Sequence, residues 1–431
     1  MTNFNPSSCD IVSAKVRSFS PEKEAEILAI VGAFEIMQSI ESVSYRGVLK
    51  IVDKIGFLEK FPLRGEEQLD LEIKTNDGIT KFSGGDQGTL ILKAQIYKID
   101  NVNPLTTLDG VSYHLHFISR VNYEASKKRV ITSFKANKTS YVAEQIFRRY
   151  FSRLDNDTTY STEKETPVLG TRKYKIVDDP EKKFYIQPTD DEIKVVIPNY
   201  IPTRAMNFLS GKAYSLASPS STFRFFENYD GFYFVTDEFL IQNAVANSKV
   251  VELVYVPIGS LDPRDLKLQT QFIESLSNPN RVDTSVDLYS GGYANKIVEV
   301  DLVRRKAVEK NFTYLDLLRN GARQYYGMNP GGKVTVEQDI HTKEYIEDTF
   351  NTNNAKRFLV FRDYDPIGQA PGNLRREQNF SEIVANRMMY QYHLNSTAIS
   401  VDLKGRLDIQ AGNVVNISVK DLDQSKDKKD N

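Results

Sequence analysis

The residues of this chain that could do chemistry are four histidines, one cysteine and an ordinary supply of carboxylates. His114 and His116 stand two apart in SYHLHFIS, so on a strand both rings share one face, as a pair of metal ligands would. No third ligand is near them in sequence, and the pair therefore reads as polar residues on a solvated face. The other two histidines are His341 and His393, and no His-Glu-x-x-His occurs. Cys9 has no partner for an intramolecular disulfide and no neighbouring base, which argues against a thiol nucleophile. Gly84-Gly85-Asp86-Gln87-Gly88 lacks the Gly-Lys-Ser/Thr of a phosphate loop and reads as a turn. Gly331-Gly332-Lys333 follows Pro330 without opening a helix, and no Gly-x-Ser-x-Gly elbow is present. Asp53, Glu66 and Glu67 flank a turn, while Asp178-Asp179 and Asp190-Asp191 fall in polar loops. A glycosidase needs two carboxylates about one bond, and nothing in the spacing selects two. The expectation is no catalytic residue, no cofactor-binding residue, no metal ligand and no enzyme activity.

Composition narrows the classes further. The chain has 431 residues, 40% of them hydrophobic and 11% aromatic, enough to build real cores. That length suggests about three domains. Lys plus Arg is 56 and Asp plus Glu is 57, a net charge of −1. A dedicated nucleic-acid binder carries a basic excess, which is missing here. Arg304-Arg305-Lys306 and Arg375-Arg376 read as solvated faces or partner contacts. The longest apolar stretch, Ile27 to Phe34, falls far short of the ~20 residues of a membrane span. The N-terminal segment lacks the order of a secretion signal.

The elements that must position these residues follow from periodicity. Residues 1–120 read as strands. Val43, Tyr45, Gly47, Leu49 and Ile51 alternate with Ser44, Arg46, Val48 and Lys50, apolar on the first face except at Gly47. Leu69, Leu71 and Ile73 repeat the pattern, as do Leu90, Leu92, Ala94 and Ile96. Short strands with turns such as Asn76-Asp77-Gly78 suggest a sandwich or barrel. Residues 121–265 are mixed. SYVAEQIFRRYF has helical spacing with Ser140 as the expected N-cap, 151–190 is polar and loop-like, and Pro202 starts a helix burying Ala205, Met206, Leu209 and Ala213. Phe223 to Leu240 reads as a hairpin about Asp230-Gly231, with its aromatic cluster (Phe223, Phe225, Phe226, Tyr229, Phe232, Tyr233 and Phe234) as core. Residues 266–420 return to strands. VDTSVDL and ANKIVEVDLVRRKAVEKNFTY form a long hairpin about Gly291-Gly292, and a helix covers 379–392 with Phe380, Ile383, Val384 and Met388 on one side. STAISVDLKGRLDIQAGNVVNISVKD closes the region, turning at Gly405 and at Ala411-Gly412. An irregular excursion occupies about 316–378, and 421–431 is a polar tail. The fold class expected is mainly β with an α/β insertion. Gly65 and Gly412 each precede an alternating strand, which raises an internal duplication of the two strand-rich ends.

IESVSYRGVLKIVDKIGFLEKFPLRGEEQLDLEIK then carries a resemblance: a strand, Gly, an apolar-x-x-Asp, a short link, and Pro-Leu-x-Gly-Glu-Glu before an apolar alternation. It resembles the first tube-forming barrel of the baseplate central-hub proteins of contractile-tailed, T-even-like bacteriophages. IPTRAMNFLSGKAYSLASPSSTFRFFENYDGFYFVTDEFL is similar to the inserted domain of that family. SLSNPNRVDTSVDLYSGGYANKIVEVDLVRRK with STAISVDLKGRLDIQAGNVVNISV is similar to its second barrel, split by an insertion. The resemblance implies two similar small β-barrels around a mixed α/β domain: 1–120, 121–265, and 266–420 interrupted at about 316–378. It implies a homotrimer whose six barrels form a ring between the six-fold tail tube and the three-fold central spike. The implied partners are the spike, tube and tube-initiator proteins and other baseplate proteins, with DNA passing through unbound, in the virion. Two other classes stay open, a tail-associated cell-wall-degrading enzyme and a carbohydrate-binding adhesin. Cell-wall hydrolysis would mark the first and glycan binding the second.

Overall fold

The computed structural model describes residues 9–18, 23–75, 88–105, 110–152, 160–165, 173–178, 182–215, 217–218, 220–247, 249–255, 271–280, 291, 294–302, 305–313, 356–361, 380–395, 398–403 and 405–419. It is mainly β, with a mixed α/β unit in its middle. Among the described residues no helix is long and apolar enough to cross a membrane.

The N-terminal strands are β1 (Cys9–Arg17), β2 (Glu24–Glu26), β3 (Val31–Met37), β4 (Arg46–Asp53), β5 (Gln68–Thr75), β6 (Thr89–Pro104) and β7 (Val111–Ser119). They form one antiparallel sheet in the order β2-β1-β5-β6-β7-β4-β3, curled into a half-barrel. The period-two patterns are its inner face: Leu49, Ile51, Leu69, Leu71, Ile73, Leu90, Leu92, Ala94 and Ile96 are all buried in one core with Tyr113, Leu115 and Phe117. Gly47, the gap in the apolar face of β4, lies under the Phe117 ring. A Cβ there would stand 2.1 Å from Phe117 Cζ and 2.6 Å from the Glu35 carbonyl oxygen. The missing side chain is where the neighbouring strand's ring packs.

Between β4 and β5 the carboxylates build turns. Asp53 accepts from the backbone N–H of Ile55 at 3.0 Å and of Leu58 at 3.1 Å, capping the short helix α1 (Phe57–Lys60). Buried Glu67 accepts from the N–H groups of Arg64, Gly65 and Glu66 at 2.6, 2.9 and 3.0 Å. The Pro-Leu-x-Gly-Glu-Glu segment is thus a turn closed on its own glutamate, with Gly65 at φ 86°.

The middle unit runs α2 (Arg120–Ser126), β8 (Val130–Asn137), α3 (Thr139–Tyr150), β9 (Tyr160–Glu165), β10 (Lys173–Asp178), β11 (Lys183–Ile186), β12 (Ile193–Tyr200), α4 (Pro202–Lys212), β13 (Phe223–Glu227), β14 (Gly231–Thr236) and α5 (Asp237–Ala246). A five-stranded sheet, β13-β14-β11-β10-β9, is antiparallel except for the β11–β14 pair, and β12 pairs with β8. Two expectations are corrected here. The stretch 151–190 is not loop throughout, since it supplies β9, β10 and β11. Ile176, Val177, Phe184 and Ile186 are buried, but each strand is too short to raise a pattern above the polar residues around it. Ser140 is not the N-cap of α3. The residue before the helix is Lys138, whose side chain makes no capping bond. The orphan donors are met from afar: Ser140 N–H donates to Thr189 Oγ1 at 3.0 Å, and Thr139 bonds to buried Asp191 through both its N–H and its hydroxyl. The helix over Pro202–Lys212 is as expected, Ala213 serving as the C-cap. The Asp-Gly hairpin forms, but its second strand ends at Thr236, because Thr236 caps α5 and Asp237 to Leu240 are helical.

The C-terminal strands are β15 (Val251–Tyr255), β16 (Ile273–Asn280), β17 (Ala294–Asp301), β18 (Lys306–Thr313), β19 (Lys356–Phe361), β20 (Ala398–Leu403) and β21 (Val415–Val419), with helix α6 (Phe380–Asn395). β15 pairs with β21, β16 with β20, and β17 lies between β18 and β19. Among the described residues these are three small sheets and not one sheet like the first. The run expected as one strand is the β17–β18 hairpin, turning at Arg305 with φ 53°. VDTSVDL lies outside the described residues. The expected excursion at 316–378 contains a strand, β19, parallel to β17; the rest of it lies outside the described residues. Helix α6 buries Ile383, as expected, together with Ala385, Met389 and Tyr390, while the expected Val384 and Met388 are half-buried at the side of this face. Arg387 on α6 donates to the carbonyls of Gly211 and Ala213 at the C-terminal end of α4 and to that of Ser221 before β13.

Candidate functional site

The β13–β14 hairpin is where the parts of the molecule meet. Phe223, Phe225, Phe232 and Phe234 enter the core shared by α2, α3, α4 and β12. Phe226 and Tyr233 point the other way, into a small core with Val235 and Phe239 that Ala411 also joins. Tyr229 at the tip packs against the core of the N-terminal sheet. The aromatic cluster is core, as its alternation predicts, but it serves three cores and not one.

Glu227, at the end of β13, is fully buried. It accepts 2.8 Å from Ser44 Oγ and 2.7 Å from Ser119 Oγ, both from the N-terminal sheet region, and Lys182 Nζ lies 3.8 Å away. Burial pushes the Glu227 carboxyl above its ordinary range, against the pull of Lys182 and the two serines. Lys182 also stands 5.4 Å over the Tyr45 ring and donates to the Asn228 and Tyr229 carbonyls. The C-terminal turn completes the junction. Tyr229 N–H donates to Gln410 Oε1 at 3.0 Å, Asn228 Nδ2 donates to the Ala411 carbonyl at 3.2 Å, and Ala411 N–H donates to Gln38 Oε1 at 3.0 Å. Gly412, at φ 90°, lets this turn lie against Phe226. Sheet, α/β unit and C-terminal segment are thereby tied at one place by buried and part-buried hydrogen bonds and by the Lys182–Glu227 pair, an arrangement that holds shape.

The remaining buried carboxylates have structural partners. Asp237 and Glu238 open α5 behind the Thr236 N-cap, whose hydroxyl accepts from Phe239 N–H. Asp237 pairs with Arg224 Nε at 2.6 Å, and Glu238 bonds Ser220. Burial raises both carboxyls, opposed by Arg224 and Ser220 respectively. Asp53 ends below its ordinary value: burial is the largest effect and raises it, but the N–H groups of Phe57, Leu58, Ile55 and Gly56 together outweigh burial. Asp190 lies beside Asp191 in the loop after β11, and Asp191 caps α3. Cys9 is half-buried on β1, near Gly405. Asp179, Gly84, Gly85, Gly331, Gly332, Lys333, His341, Arg304, Arg375 and Arg376 lie outside the described residues.

His114 and His116 do share the outer face of β7, as their spacing predicts. The premise that no third ligand is near them is corrected. Asp100 of β6 stands opposite His114 in the ladder, and its Oδ1 lies 2.8 Å from His116 Nε2 and 3.8 Å from His114 Nδ1. A β-bulge causes this. Ile96 pairs with Phe117 and Lys98 with His116, so Tyr97 is an extra residue on β6. The bulge reverses the facing of the residues from Lys98 to Asp100, after which a second irregularity, between Asp100 and Asn103, shifts the register again. Before it the even-numbered Leu90 to Ile96 face the core; after it Ile99 packs inward and Asp100 faces out. Lys98 also bonds Asp100, and Asn101 Nδ2 lies 2.9 Å from His114 Nδ1. Lys98 and then His116 hold the Asp100 carboxyl below its ordinary value.

No protein-family model matches the chain, and a search of curated proteins finds no match. Among solved structures, the chain is similar to a tail protein from Neisseria meningitidis MC58, with 9% identity and a TM-score of 0.45 over 94% of this chain and 86% of that one. It is similar to the 43 kDa tail protein of prophage MuSo2 from Shewanella oneidensis, with 8% identity and a TM-score of 0.43 over 94% and 87%. It is also similar to a chain of a Francisella PdpA–VgrG complex in its half-lidded form, with 8% identity and a TM-score of 0.33, over 84% of this chain and 46% of that one.

Proposed function

We propose that this chain is a structural protein of a contractile phage tail: a baseplate hub subunit that forms a trimeric, pseudo-six-fold ring between tail tube and central spike and leaves a channel for DNA. The observation that carries the reading is the N-terminal sheet. Its seven strands curl without closing on themselves, so β2 and β3 end it as edges among the described residues. Open edges pair with other chains, and closed rotational symmetry satisfies them without filaments. The segment that builds this sheet is the one with the sequence resemblance to the first hub barrel. The buried junction at Glu227 fits the same role, because a subunit that transmits contractile load needs its parts locked together. The near-neutral charge suits a channel that passes DNA without gripping it. In this reading the C-terminal sheets belong to a second barrel, the α/β unit lies outside the ring, and the chain does no catalysis.

Electron microscopy of the purified chain tests the proposal. The expected particle is a ring of three chains with six similar lobes, sedimenting at about three times the 49.1 kDa chain mass. A chain that stays monomeric with its tube and spike proteins present overturns it, as does hydrolysis of cell-wall polymer abolished by one carboxylate substitution.

A further inference from the structure

We propose that Asp100, His114 and His116 form a binding site for a divalent first-row transition ion of the zinc type on the outer face of the seven-stranded sheet. One ligand atom from each of the three lies within 4.8 Å of the others. In a tetrahedral zinc site with bonds of about 2.0–2.1 Å, ligand atoms stand about 3.3 Å apart. The distances from Asp100 Oδ1, 2.8 Å to His116 and 3.8 Å to His114, straddle that spacing. Side-chain rotations suffice to reach it, because the backbone is already set by the β6–β7 ladder and its bulge.

The donor set selects the class of ion. Two imidazoles with one carboxylate suit zinc, iron(II) and their neighbours. One carboxylate is too little oxygen for calcium or magnesium, and no thiolate is present to favour copper(I). The side chains of Asp100, His114 and His116 keep 27%, 30% and 21% of their exposure, so the site is lined yet open to solvent. Three protein ligands leave a coordination position for water or for a group from a partner. An ion here would cross-link β6 and β7 just beyond the point where β6 is bulged.

Two side chains stand in the ion's place. The Lys98 ammonium neutralises Asp100, and the Asn101 amide contacts His114. Both residues are exposed and free to swing outward. Lys50, opposite His114 on β4, adds a further positive charge nearby. Affinity is therefore set by competition between an ion and a lysine for one carboxylate, and removing that lysine must strengthen binding.

The full-length chain, stripped with chelator, is titrated with Co²⁺ followed by visible absorbance and with Zn²⁺ followed by calorimetry. One ion per chain is expected. Outer-shell losses at metal sites already cost about 10–100-fold in affinity, so His114→Ala, His116→Ala and Asp100→Asn are each expected to weaken binding by roughly a hundredfold or more. Lys98→Met is expected to bind several-fold more tightly. A readout without variants is protection of His114 and His116 from diethyl pyrocarbonate by Zn²⁺, located by peptide mass. Absence of binding by the wild-type chain overturns the proposal. So does undiminished binding by the His114→Ala/His116→Ala double variant, which would place the ion elsewhere, or full modification of both imidazoles in saturating zinc.

Discussion

Ser119 Oγ donates a 2.7 Å hydrogen bond to Glu227 Oε1 across 108 residues of sequence, from the end of β7 to the end of β13. With Ser44 on the other carboxylate oxygen, this contact fastens the half-barrel to the aromatic hairpin on which the α/β unit is built. Its acceptor is fully buried, so the bond is made in a place where losing it leaves polar groups stranded.

Glu227 should therefore give the fold a measurable pH dependence. Burial raises its folded pKa above the ordinary 4.5, so between 4.5 and the raised value the folded chain binds more protons than the unfolded one. By linkage its contribution is most favourable at the acid end of that window and declines as pH rises through the folded pKa. Asp237 and Glu238 slope the same way, and Glu24, Asp53 and Asp100 the opposite way. The difference between wild type and Glu227→Gln isolates the one group: the relative stability of the wild type should rise on acidification from neutrality toward 4.5. Glu227→Ala, which removes the carboxylate that accepts from the Ser44 and Ser119 hydroxyls and the countercharge of Lys182, should cost about 3 kcal/mol. Urea midpoints across pH check both, and a flat difference would remove Glu227 from the account.

Gly47→Val should destabilise the half-barrel by about 1–3 kcal/mol through overpacking. The Phe117 ring can shift, but the Glu35 carbonyl, 2.6 Å from the added Cβ, is backbone of β3 and cannot. Chemical denaturation reads the loss. An unchanged midpoint would mean β3 is free to move away.

Asp191→Ala should cost about 1–3 kcal/mol, since it removes the distant cap of α3 and strands a buried Thr139 hydroxyl. Ser140→Ala should cost less, because Ser140 Oγ meets Thr189 and not the helix donors. If the two substitutions rank the other way, the cap is local after all.

Ile73→Asp and Ile417→Asp separate the two strand-rich ends. Ile73 is fully buried and should not tolerate an unpaired charge, at a cost of several kcal/mol. Ile417, on β21, is half-buried in the single chain, so the same change should cost less there unless assembly covers it. Equal costs in the isolated chain would show that the C-terminal strands already bury Ile417 as deeply as the first sheet buries Ile73.

Much of the fold is legible in local pattern. The alternations on β4, β5 and β6 name the core of the half-barrel. The Asp230-Gly231 hairpin, the helix at Pro202 and the turn at Gly412 are written in residue types that leave the backbone few choices. The resemblance of Gly65 and Gly412 also survives as geometry, both in left-handed turns at φ 86° and 90° before a strand. Whether the strands after them belong to duplicated barrels is a matter for the proposed ring.

What the sequence by itself determined is which side of each regular strand is apolar, and therefore where the first core lies, because burial of alternate side chains is a local property of an extended chain. What only the tertiary structure decided is every arrangement in which one residue answers another far away. Tyr97 could not be read as a bulge, since nothing in its neighbours marks an unpaired residue, and so Asp100 could not be assigned to the face of His114 and His116. The cap of α3 could not be found at Asp191, nor the acceptor of Ser44 and Ser119 at Glu227. The short strands β9, β10 and β11 were hidden for the same reason. Their stability comes from the neighbours they pair with, and pairing is a contact between distant segments that composition and periodicity do not carry.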